Sequence, residues 1–241
     1  MNIVIDTHTH TILSGHAYST WYENLMFAGK KGLYGIVTAD HASQMPGGFI
    51  DFIFDKLADL PEWVDGVRSY KGMEANIMDY EGHIDVREKH MRVPELMMVS
   101  LHDVCLPQGT KEQHTSALIG ALRIPEADVA AHPGNPYFEI DQEAVVKEAK
   151  KLNKIIEVNN HSFSGRAGSE ENCREIIKLC KKHEVRITVA SDAHCCTEIG
   201  HLDHAIALLE ELHFPEELVI NSTVERFEAY QKERKERLDV L

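Results

Sequence analysis

The chain contains no run of apolar residues near the roughly 18 that a membrane span needs. Its opening segment, MNIVIDTHTH, has no basic stretch and turns polar after Ile5, so neither a membrane helix nor a signal peptide is expected. Basic residues are in deficit: 25 Lys and Arg face 39 Asp and Glu, a net charge of −14 with histidine neutral. That balance argues against a broad surface for nucleic acid or anionic membranes. The five cysteines form no C-x2-C pair and are odd in number. Reduced thiols and a cytoplasmic location are the expectation. Cys173 and Cys180 share a helical apolar stripe with Ile176 and Ile177, which assigns them to packing. There is no Gly/Ser linker, no low-complexity stretch and no repeat of about 20–50 residues. Residues 1–241 are therefore expected to form a single domain, long enough to bury its own core. Neither a G-x-S-x-G elbow nor a P-loop is present, which sets aside a serine nucleophile and a nucleotide cradle.

What is present is an alternation of short apolar runs with longer helical patterns. The spacing predicts strands over 3–6, 35–39, 70–74, 96–101, 128–131, 154–158 and 186–191, rich in Val and Ile and apolar on both faces. Helices are predicted between them. One opens at the capping box Thr20-x-x-Glu23 and stops at Gly32. Others cover 52–64, 113–122, 141–152, 169–183 and 198–212, and a terminal one opens at Ser222-x-x-Glu225. Repeated β-then-α units imply a parallel sheet with right-handed crossovers. A closed or nearly closed barrel and an open doubly wound sheet both satisfy that pattern.

The 15 histidines decide more. His8 and His10 come two apart as the first strand runs out, which puts both imidazoles on one side. His16 lies in the following loop. Asp40 and His41 end the second strand, Glu74 the third, His102 the fourth and His132 the fifth. The sixth ends in Glu157, Asn159, Asn160 and His161, and the seventh in Asp192 and His194. In a β/α barrel those ends converge on the face where active sites form. The set His8, His10, His16, His41, Glu74, His102, His132, Asp192 and His194 exceeds what one ion takes. It suits two or three close ions with Glu74 free to bridge, and imidazole with carboxylate favours zinc, manganese or iron. His83, His90, His114, His183 and His213 sit in loops or on helices and are expected to be solvated.

The motifs D-T-H-T-H-T, T-A-D-H, G-M-E-A-N, A-H-P-G-N-P and S-D-A-H, with His16 after the first, resemble the PHP (polymerase and histidinol phosphatase) superfamily over essentially the whole chain. The segments H-A-Y-S-T, E-V-N-N and G-S-E-E-N-C are similar to its stand-alone bacterial hydrolases of the YcdX type. The resemblance implies a distorted seven-stranded TIM-like β/α barrel with a trinuclear zinc site. By motif, His8, His10, Glu74 and Asp192 hold one ion. Glu74 bridges to a second with His102 and His132, and His16, His41 and His194 hold a third. Asp103 stands after His102, where that branch more usually has Glu.

The function so implied is hydrolysis of phosphoric esters, with a small phosphomonoester as substrate and a metal-bound hydroxide as attacking group. Glu74, Asp192 and His194 are the expected catalytic residues. Arg166, in the polar loop S-G-R-A-G-S, is a candidate phosphate contact through its planar fork, and Asn159 and Asn160 candidate substrate contacts. Three rivals stand beside this reading. A nuclease or phosphodiesterase suits the family but not the acidic charge. An amidohydrolase-like C–N hydrolase shares the opening H-x-H but calls for a bridging Lys where Glu74 stands. A binding module without turnover would keep the ligands. A homo-oligomer is compatible with the chain.

Overall fold

The computed structural model describes residues 1–48 and 51–240. Its strands are β1 (Ile5–Thr9), β2 (Gly35–Thr38), β3 (Trp63–Val64), β4 (Val67–Asn76), β5 (Leu96–Ser100), β6 (Val129–Ala130), β7 (Ile155–Asn159) and β8 (Ile187–Ala190). Seven of them hydrogen-bond side by side in the order β1-β2-β4-β5-β6-β7-β8, all parallel. Every residue of β1, β2, β5, β6, β7 and β8 is buried, as strands covered on both faces require. The helices α1 (Trp21–Lys30), α2 (Lys111–Leu122), α3 (Gln142–Leu152), α4 (Ser169–His183), α5 (Asp203–Glu211) and α6 (Val224–Asp239) complete the units. Of the two sheet forms open at the level of sequence, the nearly closed barrel is the one observed. No helix among the described residues is long and apolar enough to cross a membrane.

Local chemistry sets most boundaries. Thr20 and Glu23 make both halves of the expected capping box. Thr110 and Gln113 make another, which starts α2 earlier than predicted. Helix α4 has the predicted limits and ends at Glu184 in the left-handed region. The helix predicted over 52–64 is corrected: a 3-10 helix covers Asp51–Asp59, and Trp63–Val64 is a strand. The cause is Asp65-Gly66, a two-residue turn with φ of 47° and 83° that folds β3 back on β4. Gly200, at φ 69°, delays α5 to Asp203, and Thr223 rather than Ser222 caps α6.

The barrel closes between β1 and β8 without a regular ladder. At its carboxyl end Asp192 N–H donates to His8 O (2.9 Å) and His10 N–H to Ala193 O (2.8 Å). Deeper, the Asn221 side chain takes the place of a strand. Its Nδ2 donates to Ile5 O (2.8 Å) and Val189 O (2.6 Å), and its Oδ1 accepts Val189 N–H (3.1 Å). Asn221 is fully buried, so Asn221→Ala removes three buried hydrogen bonds. A loss of about 3 kcal/mol is expected, or a melting temperature lower by roughly 6–12 °C. A thermal melt that moves by under about 2 °C would show that the seam is held elsewhere. Opposite the strand carboxyl ends, α6 plugs the barrel. Tyr230 Oη and Arg234 Nε donate to the buried Asp128 carboxylate at 2.7 and 2.6 Å.

Candidate metal centre

The strand carboxyl ends bring nine side chains into one cluster around Glu74. This residue lies on β4, fully buried. Its Oε2 is 3.2 Å from His8 Nε2, 3.4 Å from His10 Nε2 and 2.9 Å from His41 Nδ1. Its Oε1 is 2.9 Å from His132 Nε2 and 3.4 Å from His102 Nε2. From the other side of the seam, Asp192 Oδ1 stands 3.1 Å from His10 Nε2 and 3.6 Å from His8 Nε2. His16 and His194 meet through their Nε2 atoms at 2.9 Å, nearer solvent. Two of the turns that carry the cluster are strained: His132 has φ 32° and Asp192 φ 57°, positions that favour glycine. The backbone is bent where the cluster needs it.

The donor chemistry fits metal ions. Glu74 Oε2 and His41 Nδ1 are buried and lack any hydrogen-bond partner, although they face each other at 2.9 Å. Buried polar atoms left unpaired are costly, and a shared cation removes that cost. Among the described residues, three sets present ligand atoms within 4.8 Å of one another: His8, His10 and Glu74; His41, Glu74 and His102; and His10, His41 and His194. The last groups His10 with His41 and His194, and His16 adjoins it through His194.

Charge follows the same geometry. Burial pushes the Glu74 carboxyl up, but His41, His8 and His102 outweigh it and hold the group well below the ordinary carboxylate range. Asp192 is likewise pushed up by burial and brought well down by His8, His10 and Arg166. Burial, then His41, holds His10 well below an ordinary imidazole. Burial would lower His8 too, yet Glu157, Glu74 and Asp192 raise it well above.

A second layer orients these rings. His8 Nδ1 meets Glu157 Oε1 at 2.7 Å, His10 Nδ1 meets Ser14 Oγ at 2.9 Å and His102 Nδ1 meets Asn76 Oδ1 at 2.8 Å. Ser14 is in turn held by Asp40, its hydroxyl donating at 2.6 Å. With the back nitrogen occupied, Nε2 of His8, His10 and His102 faces the cluster. The site opens into a cleft of about 350 Å³ bordered by Met45, Pro46, Asp103, Val104 and Arg166 as well as the cluster. A larger groove of about 690 Å³, bordered by Gln44, Asp51, Asp85 and Arg87, carries no imidazole.

No protein-family model matches the chain. A protein of Acetivibrio thermocellus named probable phosphatase is 48% identical over 238 residues, 99% of each chain. One of the same name from Caldicellulosiruptor bescii is 45% identical over 240 residues, 100% of both. The histidinol phosphate phosphatase of Lactococcus lactis, solved with zinc, L-histidinol and phosphate, superposes with a TM-score of 0.62 at 15% identity. That alignment covers 89% of this chain and 95% of the other, and shows a shared barrel. The chain is a PHP protein. It belongs to the branch whose members are named probable phosphatase.

In this PHP barrel the nine predicted ligands lie together. The predicted substrate contacts divide. Arg166 borders the cleft, with Nη2 donating to Asp192 Oδ2 at 2.9 Å. Asn159 is buried, and its Nδ2 donates to Glu157 Oε2 and Asp192 Oδ2, both at 3.1 Å. Asn160 accepts Ala205 N–H at 3.0 Å and so serves the start of α5. Neither Asn borders the cleft. His90 and His114, expected in solvent, are buried: His90 pairs with Asp55 at 2.8 Å, and His114 accepts Gly109 N–H at 2.8 Å. Glu157, Asp40 and Ser14 were not among the expected site residues. The available signal for Glu157 is a carboxylate inside a buried strand, and for Asp40 its place beside His41 at the end of the second strand; nothing local marks Ser14.

Proposed function

We propose that this PHP protein is a metal-dependent phosphatase that hydrolyses a small phosphomonoester at a three-ion site, with zinc as resident metal and manganese or iron as alternatives. The observation that carries the proposal is Glu74, a buried carboxylate with five imidazole nitrogens within 3.4 Å and an oxygen that no hydrogen bond satisfies. His8, His10, Glu74 and Asp192 hold the first ion, Glu74 with His102 and His132 the second, and His16, His41 and His194 the third, with His10 within reach. Glu74, Asp192 and His194 are the catalytic residues of this reading, through the ions they hold. Ions in such a set acidify water toward neutral pH and neutralise phosphoryl oxygens.

The remaining work falls to the chain's own groups. Arg166 lies at the cleft with one nitrogen committed to Asp192, and its fork offers further N–H groups to a phosphoryl oxygen. The cleft, about 350 Å³, suits a small ester. Its apolar border of Met45, Pro46 and Val104 shields the alcohol portion from water. The net charge of −14 disfavours a polynucleotide. Five free cysteines support a reducing, cytoplasmic setting.

Inorganic phosphate release from monoesters, diesters and short DNA by zinc- and manganese-loaded protein tests the proposal. Monoesters are expected to lead diesters by at least about tenfold in kcat/KM, a difference of roughly 1.4 kcal/mol in activation free energy. Preference for DNA, or silence with all ions bound, would remove it.

A further inference from the structure

Glu157 does not border the cleft at the cluster and has no place in the proposed ligand set, yet both its oxygens are committed to groups that do. Its Oε1 is 2.7 Å from His8 Nδ1 on β1. Its Oε2 accepts the backbone N–H of His132 at 2.7 Å and Asn159 Nδ2 at 3.1 Å. One carboxylate on β7 thus reaches ligands assigned to two different ions, His8 to the first and His132 to the second. Asn159 carries the connection on to Asp192 Oδ2 at 3.1 Å. The whole group is buried: Glu157 is 3% exposed, His8 0%, His132 4% and Asn159 1%.

We infer that Glu157 is a positioning residue that sets the tautomer of His8 and the strained turn at His132, and so couples the first and second ion positions. The inference rests on the three-ion reading above. Its physical basis is the count of donors. The His132 N–H and the Asn159 amide are fixed donors, and both point at Oε2. With Oε1 also an acceptor, His8 keeps its proton on Nδ1 and presents the Nε2 lone pair to the ion. The His132 N–H bond also supports a residue at φ 32°, a conformation its own side chain disfavours. A carboxylate satisfies all three donors; no neutral group of the same shape does.

The variant Glu157→Gln follows from that count. The Gln carbonyl must face His132 N–H and Asn159, because neither can become an acceptor there. The Gln NH2 then faces His8 and donates to Nδ1, which moves the ring proton to Nε2, where the ion needs a lone pair. Three readouts apply to the full chain: zinc affinity by chelator competition, ions per chain by mass spectrometry, and the His8 ring 15N shifts. The expected result for E157Q is about 10–100-fold weaker zinc binding at the first position. A His8 Nε2–H tautomer accompanies it, in a protein whose circular dichroism is unchanged. Glu157→Asp, which keeps the charge and both acceptors, retains the Nδ1–H tautomer and loses less. A purely structural role would move the melting temperature but not the tautomer. Should E157Q not fold, the zinc-loaded wild type alone decides: a His8 Nδ1–H proton signal shifted downfield by the carboxylate is required, and its absence overturns the inference. Unchanged affinity in E157Q overturns it while leaving the ion site standing. A wild type that binds no zinc overturns both.

Discussion

Glu74→Gln is expected to lower phosphate-ester turnover by about 10³-fold or more and to reduce the ions bound per chain. The substitution keeps the shape of the side chain, so the barrel has no cavity to fill. What it removes is the charge facing His8, His10, His41, His102 and His132 within 3.4 Å. In the three-ion reading it also places an NH2 group where an ion needs an acceptor, and removes the one carboxylate that reading shares between two ions. Kinetics and metal analysis on the same preparation separate the two losses. Full activity with a full ion complement would show that Glu74 is a buried acid of the core and no bridge.

Stripping the ions is expected to lower the melting temperature by roughly 8–16 °C for each ion held at a thousandfold excess over its dissociation constant. Such binding stabilises the folded chain by about 4 kcal/mol, and a chain of this size shifts by roughly 2–4 °C per kcal/mol. The direction follows from the cluster's composition. Imidazoles stand close together in the cluster: the His10 and His41 ring centroids are 4.5 Å apart, those of His10 and His194 4.3 Å. Glu74 Oε2 has no hydrogen-bonding partner within the protein. Restoring zinc should restore the transition. A melt that stays put, with ion loss confirmed by mass spectrometry, would mean that the cluster is satisfied without metal.

The clustering of these side chains is legible in the sequence because the barrel turns a one-dimensional pattern into a place. The barrel strands all run in one direction, so their carboxyl ends meet on one face and bring His41, Glu74, His102 and His132 together. What could not be read were contacts between distant segments that follow no period. Ser14 supports His10 only because Asp40, 26 positions away, anchors its hydroxyl. Asn159 and Asn160 are neighbours of the same type, yet one ties carboxylates together and the other serves α5. β7 ends at Asn159 and a 3-10 helix begins at Asn160, and that boundary, not residue type, decides the split. The helix expected over 52–64 gives way for a different reason: apolar spacing favours it, but the Asp65-Gly66 turn is the stronger local signal and folds β3 back on β4.

The seam between β1 and β8 has a consequence for how the molecule comes into being. The ribosome delivers His16 178 positions before the His194 it faces. Until Asp192 N–H can bond to His8 O, the first strand has an open edge on that side, and its histidines stand without Asp192 or His194. A product that stops short of the last strand lacks Asp192 and His194, two of the nine clustered side chains, and presents an unpaired β1 edge open to aggregation. Closing the seam and completing the cluster are one event.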